Sequence, residues 1–329
     1  MHRLLRRKLL PSALALSGDL AVFANPLALL PPREETSGLF LGIDDLGREV
    51  YLNPESLPNM HGIILGTTGS GKSTLARHLI LEASERGVTC WAIDPHNEEG
   101  YRRILPRTFL FGDDGLDIFE APGWRPVDLA SELATYIERI YGIPGARFEF
   151  RELLSRCFEK GSLEPLEGLS GVPEVKRVLD DLKVVYRSGG VTVEDLAGTS
   201  THFSFPGLVS REFKSLASLL LLLLLQGYRW TLGEVHTLEM LVVLEEAHFL
   251  APYLLNLFKE VRKWGWSLLA VTQLPRELDP RIYQLAGFVV VLAGPESYID
   301  DIALLFSLTP DERDHVLYKA CLLYTSDAA

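Results

Sequence analysis

Eight consecutive residues, Gly66-Thr67-Thr68-Gly69-Ser70-Gly71-Lys72-Ser73, match the pattern G-x-x-x-x-G-K-[ST] in full. Each residue type there has a job that phosphate chemistry requires. Glycines let successive backbone N–H groups turn inward around phosphate oxygens, and a following helix adds the partial positive charge of its N-terminus. Lys72 is placed to reach the β- and γ-phosphates of a nucleoside triphosphate, and the Ser73 hydroxyl to ligate Mg²⁺. Thr74 completes the loop-to-helix passage. A Gly/Ser-rich turn could match by chance. The flanking context argues against that, because a short apolar strand (Ile63, Ile64, Leu65) precedes the motif and a helix-patterned stretch (Leu75–Ala83) follows it. The expectation is a site for ATP and Mg²⁺, lined by residues 66–74.

A second constellation lies far along the chain. Met240-Leu-Val-Val-Leu-Glu245-Glu246-Ala-His248 reads as a buried strand ending in two carboxylates. Splitting a phosphoanhydride needs one acid near Mg²⁺ and another to orient or deprotonate water. Adjacent acids leaving one sheet edge can divide those roles, with Glu245 in the metal's outer sphere and Glu246 polarising the water. Alone, two acids would more simply begin a solvated loop; beside a phosphate loop they gain weight. His96 and His248 are not joined by a cysteine or further histidine at ligand spacing, so they do not form a metal motif.

The elements that must carry these residues follow from periodicity. Strands are expected at Val88–Ile93, Thr108–Phe111, Thr201–Phe205, Met240–Leu244, Ser267–Val271 and Phe288–Leu292. Helices are expected at Val127–Tyr141, Phe148–Lys160, Val175–Val185, Ser210–Gln226 and Leu250–Trp264. Leu39–Ile43 and Glu49–Leu52 read as a small hairpin before the core. Short buried strands alternating with helices predict an α/β fold, a mostly parallel sheet with helices on both faces. The chain divides into an N-terminal extension or linker (1–37), a core (38–320) with a helical insertion (142–200), and a tail (321–329). The run Leu219–Leu225 is too short to cross a bilayer and is expected as a buried core helix. The basic, apolar N-terminus is broken by Pro11 and Asp19, which argues against a signal peptide.

Bulk composition fits this picture. The 329 residues are 47% hydrophobic and 23% charged, enough for a sizeable core. A net charge of −12 argues against a surface that coats nucleic acid everywhere, while leaving room for a local basic track. Three cysteines at unrelated spacings give no disulfide framework or metal motif and favour a reducing compartment.

The blocks HGIILGTTGSGKST, AIDPHNEE, LVVLEEAH, VRKWGWSLLAVTQLPRELDP and VVVLAG occur in the order seen in the HerA/FtsK superfamily, which the chain resembles from about Gly38 to Ala320. Members are ring-forming ATPases that pump DNA, or drive DNA and protein transfer in conjugation and type IV secretion. The resemblance implies a RecA-like core of the ASCE class, ATP hydrolysis with Mg²⁺, and a homohexamer passing DNA non-specifically through its pore. A membrane transfer complex or a nuclease is the protein partner implied. The implied location is cytoplasmic, with the inner face of the cell membrane as a peripheral site. By resemblance, Lys72 and Ser73 are the phosphate-loop pair and Glu246 is the catalytic glutamate. Arg262 matches an arginine finger that reaches a neighbouring subunit's nucleotide, Gln273 a polar sensor of the γ-phosphate, and Asp94 an acid close to the nucleotide. Glu245 stands where the family usually has Asp.

Within the superfamily, ANPLALLPP followed by GLFLGIDDLGREVYLN is similar to the approach to the phosphate loop in conjugation and secretion ATPases, and the residues before Gly62 are too few for the β-barrel of a HerA-like DNA-end-processing motor. Met1 reads as an internal start. Cys321–Ala329 is encoded in one frame by a string resembling a transposon-end sequencing adapter, so those residues are expected to be foreign to the natural product. Other classes fit less well. An ABC-type ATPase needs S-G-G-Q before its glutamate strand, whereas Ser188-Gly-Gly190 is followed by Val191. A metabolite kinase would be smaller, with a basic lid. A nucleotide-gated scaffold with weak turnover stays open because of Glu245.

Overall fold

The computed structural model of the chain describes residues 4–9, 38–43, 48–57, 59–205, 207, 209–260, 263–318 and 321–326. These form two compact units. The first comprises Met1–Cys90, Val235–Ala251 and Leu255–Ala329; the second comprises Trp91–Glu234 and Pro252–Leu254.

The first unit is built on β4 (Gly62–Leu65), β8 (Val235–Leu244), β9 (Trp264–Thr272) and β10 (Phe288–Val291), paired in parallel in the order β10-β4-β9-β8. Parallel strands covered on both faces read as continuous apolar runs, and Ile63, Ile64 and Leu65 are fully buried. Burying each such side chain contributes about 1.5–3 kcal/mol. Helix α1 (Lys72–Glu85) packs on β4, β8 and β9 through Leu75, Ala76, Leu79 and Ile80. Strands β2 (Leu39–Ile43) and β3 (Glu49–Leu52) pair antiparallel, with a register shift between Phe40 and Gly42. That hairpin docks on α1: the Phe40 N–H donates to Glu82 Oε2 (3.0 Å), and Phe40 O lies 2.6 Å from His78 Nε2.

The entry to β4 is fixed by polar bonds. Asn59 Nδ2 donates to Phe258 O (3.0 Å) and Leu285 O (2.7 Å), while its Oδ1 accepts from the His61 N–H (3.1 Å). Ser267 Oγ donates to Met60 O (2.6 Å), and the Leu268 N–H donates to His61 Nδ1 (2.9 Å). At Gly62 a Cβ would lie 2.0 Å from the Phe288 ring, so only glycine lets β10 come this close. Two further strands extend the same sheet on the β10 side: β1 (Leu4–Leu9) and β11 (Cys321–Ser326) pair antiparallel, and β11 pairs antiparallel with β10. Both strands fall in segments to which the sequence reading assigns a linker and a foreign tail.

In the second unit β7 (Thr201–Ser204) lies between the parallel strands β5 (Thr89–Asp94) and β6 (Arg107–Leu110). Seven strands in parallel pairs, four in one unit and three in the other, give the expected α/β character. Helices α2 (Glu99–Ile104), α3 (Pro126–Tyr141), α4 (Arg147–Lys160), α5 (Glu164–Glu167), α6 (Pro173–Val185) and α7 (Val193–Ala197) lead to the long α8 (Arg211–Thr231). Leu219–Leu225 of α8 are all fully buried, as a helix surrounded by α3, α6 and α7 requires. No helix among the described residues is long and apolar enough to cross a membrane. Tyr141 Oη donates to Asp181 Oδ2 (2.5 Å), tying α3 to α6.

Several boundaries differ from expectation, among them the end of α8, which runs to Thr231 rather than Gln226. A helix over Leu250–Trp264 is predicted, but α9 covers Ala251–Glu260 and Trp264 already opens β9. Gly265, at φ 67°, sits inside that strand, and Leu257, Phe258, Val261 and Trp264 recur at helical spacing, so the apolar pattern runs on past the end of α9. The strand expected at Met240–Leu244 is only the buried half of β8; Val235–Glu239 extend it through exposed and half-buried positions, where periodicity carries no apolar signal.

Candidate functional site

The first unit gathers most of the predicted residues. The loop between β4 and α1 begins at Gly66, where a Cβ would meet Ser70 Oγ at 2.3 Å and Leu292 Cβ at 3.0 Å. Gly69 (φ 79°) and Gly71 (φ 99°) adopt left-handed backbone, and nothing lies within 4 Å of where their Cβ atoms would be. The loop is closed by the Ser70 N–H donating to Thr67 O (3.1 Å). Lys72 is nearly buried and its Nζ donates to Thr67 O (3.1 Å), which holds the ammonium against the loop.

Helix α1 starts at Gly71 without a side-chain cap and without an acid in its first turn. Its first N–H groups and positive dipole end therefore face the loop with no carboxylate of their own. Ser70 Oγ is buried there without a hydrogen-bond partner. An uncapped helix end, a buried unpaired hydroxyl, an ammonium and open left-handed glycines together fit a polyphosphate and would hold it. Ser73, half-buried in the first turn of α1, and Glu245, buried at the end of β8, fit a hydrated Mg²⁺ accompanying it.

Strands β8 and β9 supply the opposite wall. Where β8 ends, Glu246 takes φ 50° and ψ 47°, a left-handed conformation that costs an L-residue about 1–2 kcal/mol. Such strain concentrates at functional positions. The Glu246 carboxylate is buried, and its Oε1 accepts from Gln273 Nε2 (2.8 Å), just past the end of β9. Gln273 Oε1 in turn accepts from Thr68 Oγ1 (3.2 Å). A continuous polar chain thus runs from the phosphate loop through Gln273 to Glu246. Glu246 Oε2 lies 3.2 Å from His248 Nδ1, and that ring nitrogen is 3.6 Å from Glu277 Oε2.

Asp94 belongs to the second unit and is fully engaged there. Its Oδ1 accepts from the His96 N–H (2.9 Å), its Oδ2 from the Glu98 N–H, and Oδ2 lies 3.2 Å from His202 Nε2. These contacts make it the keystone of the turn after β5. Arg262 lies outside the described residues. Sequence reasoning missed Glu277, which has the polar partners of a site residue; its only signal was its place in the LPRELDP stretch, four residues after Gln273.

Residues 40–195 match the family model of the central domain of the helicase HerA. Among solved structures, VirB4 of Thermoanaerobacter pseudethanolicus superposes with a TM-score of 0.68 over 90% of this chain and 97% of that one, at 17% identity. The plasmid coupling protein TrwB in complex with the non-hydrolysable ATP analogue ADPNP gives 0.59 over 92% and 84%, at 17% identity. TrwB in complex with ADP and Mg²⁺ gives 0.54 over 76% and 73%, at 18% identity. No curated protein sequence matches the chain. The RecA-like P-loop fold expected from the motifs is the fold these structures share with it.

Proposed function

We propose that this chain is a HerA/FtsK-type P-loop ATPase, the ATP-hydrolysing subunit of a homohexameric ring that translocates DNA in a conjugation or type IV secretion-like transfer system, with a HerA-like DNA pump as the alternative. The observation that carries the reading is the chain Thr68–Gln273–Glu246, which links the phosphate loop to a buried carboxylate. A residue joined to both can respond to the γ-phosphate and to the acid that acts beside it.

In this reading the loop N–H groups and Lys72 bind the β- and γ-phosphates. Glu246 accepts a proton from, or orients, the attacking water. Gln273 aligns that water and the γ-phosphate. Ser73 and, in the outer sphere, Glu245 would hold a hydrated Mg²⁺, which would supply charge neutralisation to the triphosphate. Arg262 reaches the neighbouring subunit's nucleotide. Asp94 fits a supporting role, since its carboxylate is committed to the β5 turn. TrwB is a plasmid coupling protein by name, and a ring moving DNA past a membrane transfer complex or nuclease is carried over from the resemblance.

ATP turnover with and without DNA is the test. Lys72→Ala is expected to abolish triphosphate binding, and the parent to hydrolyse ATP faster when DNA is present; parent turnover in the Lys72→Ala protein would sink the assignment. Glu245 favours a second reading, a nucleotide-gated scaffold. Its extra methylene relative to Asp changes the distance to the metal's water shell. Tight ATP binding with negligible turnover, raised by Glu245→Asp, would select the scaffold.

A further inference from the structure

Gln273 has one neighbour on each side, and a single carboxylate oxygen holds both. Glu277 Oε2 accepts from Thr272 Oγ1 (2.8 Å) and from the Leu274 N–H (3.1 Å). The same oxygen lies 3.6 Å from His248 Nδ1, the ring nitrogen that is 3.2 Å from Glu246 Oε2. The short turn bearing Glu277, Pro275–Glu277, is itself fixed: Tyr283 Oη donates to Pro275 O (2.9 Å), and Arg276 pairs with Asp301 in two 2.7 Å bonds. Glu277 is thus a partly buried acid on an anchored turn, aimed inward at the two residues flanking Gln273 and at the ring beside Glu246.

We propose that Glu277 is a positioning residue: it aims the Gln273 amide at the γ-phosphate end of a bound triphosphate. This rests on the ATPase reading above. The physical ground is that Gln273 meets Thr68 and Glu246 at the end of a long, rotatable side chain, so where its amide is aimed depends on how firmly the residues on both sides are pinned. Thr272 is fully buried in β9, so its side is fixed by the sheet as well; Leu274 is exposed, and among the described residues Glu277 is the group shown holding its N–H. Releasing Leu274 lets the Gln273 side chain move by about an ångström, enough to cost on the order of 10²-fold in rate when an orienting group is displaced.

A purely local role, closing a turn for stability, is the competing explanation, and γ-phosphate discrimination separates the two. The ratio of affinities for ADPNP and ADP is measured by calorimetry on the full chain. The parent is expected to favour ADPNP. Glu277→Ala is expected to leave ADP affinity within about twofold, to bring the ratio close to one, and to lower ATP turnover by about 10- to 100-fold at unchanged KM. Glu277→Gln keeps a carbonyl acceptor for Thr272 and Leu274, so it is expected to restore the ratio. The double variant Glu277→Ala/Gln273→Ala is expected to discriminate no worse than Gln273→Ala alone, because both act through one side chain. Retained discrimination in Glu277→Ala, or losses that multiply in the double variant, would overturn the proposal. Should Glu277→Ala fail to fold, Glu277→Asp, one methylene shorter, withdraws the acceptor from the Leu274 N–H, and an unchanged ratio there overturns it as well. A parent that binds neither nucleotide would instead remove the ATPase reading and this inference together.

Discussion

Glu246 is buried, left-handed and bonded through Oε1 to Gln273, so its carboxylate is oriented before any reaction begins. Replacing it by Gln preserves that shape and an acceptor for Gln273 while removing the base. Glu246→Gln is therefore expected to bind ATP like the parent and to lose turnover by about 10²–10⁴-fold, the usual span for a general base. Undiminished turnover would move the role to another acid. The loop glycines separate two causes of intolerance. At Gly71 there is open space but φ is 99°, so Gly71→Ala is expected to cost about 1–2 kcal/mol through backbone strain. At Gly66 the obstacle is Ser70 Oγ at 2.3 Å, so Gly66→Ala must displace Ser70. A Gly66→Ala/Ser70→Gly double variant is then expected to recover stability in thermal unfolding, whereas Gly71→Ala is expected to gain nothing from the Ser70 change.

At the scale of elements, β4 is held in place by residues that apolar periodicity does not reveal. Ile63–Leu65 and the glycine-rich motif announce the strand, the loop and the start of α1 from sequence, because the motif requires that order. Asn59 and His61, which fix where β4 begins, carry no local pattern; their partners on α9, β9 and α10 (Pro280–Leu285) lie far away in sequence. The same distance hid the link from Thr68 to Gln273, although Glu246 was readable from the end of an apolar strand and Gln273 from the family resemblance; Glu277 was hidden for another reason, since a single acid in a loop carries no pattern. His61 has a measurable consequence. Its ring is fully buried against Phe258 and Trp266, and burial pushes its pKa down from 6.5 to about 3. The unfolded chain takes up a proton on this ring below about 6.5 that the folded chain refuses until about 3. Its contribution to stability is therefore complete above that upper value and declines as pH falls through the window, by about 1.4 kcal/mol per pH unit. His61→Gln keeps an acceptor for the Leu268 N–H but does not titrate. Urea unfolding between pH 6.5 and 5 is expected to show a shallower loss for His61→Gln than for the parent, by about 2 kcal/mol across that range. Parallel slopes would mean that the ring is protonated in the folded state.

For the whole molecule, the open question is whether one chain completes its own site. Within the first unit the Lys72 ammonium is bonded to the phosphate loop, and it is already folded onto Thr67 O. Charge developing on the γ-phosphate calls for a second cation, and the resemblance assigns that part to Arg262 acting across a subunit boundary. If so, the fragment of chemistry missing from one subunit is supplied by the next, and DNA binding belongs to the ring: with a net charge of −12, an isolated chain is a poor polyanion binder, and affinity for DNA should be sequence-independent and fall steeply with salt. Complementation tests the shared site directly. Arg262→Ala is expected to keep nucleotide affinity and to lose about 10³–10⁵-fold in turnover, as removal of an arginine finger does. Glu246→Gln is expected to be inactive for a different reason, in what would be the other half of the same interface. Mixing the two places some intact Glu246 residues opposite an intact Arg262, so part of the activity should return. Because that interface forms only by association, the recovery must rise with protein concentration. Normal turnover in Arg262→Ala, or a mixture as silent as its components at every concentration, would show that each subunit hydrolyses ATP with its own residues alone.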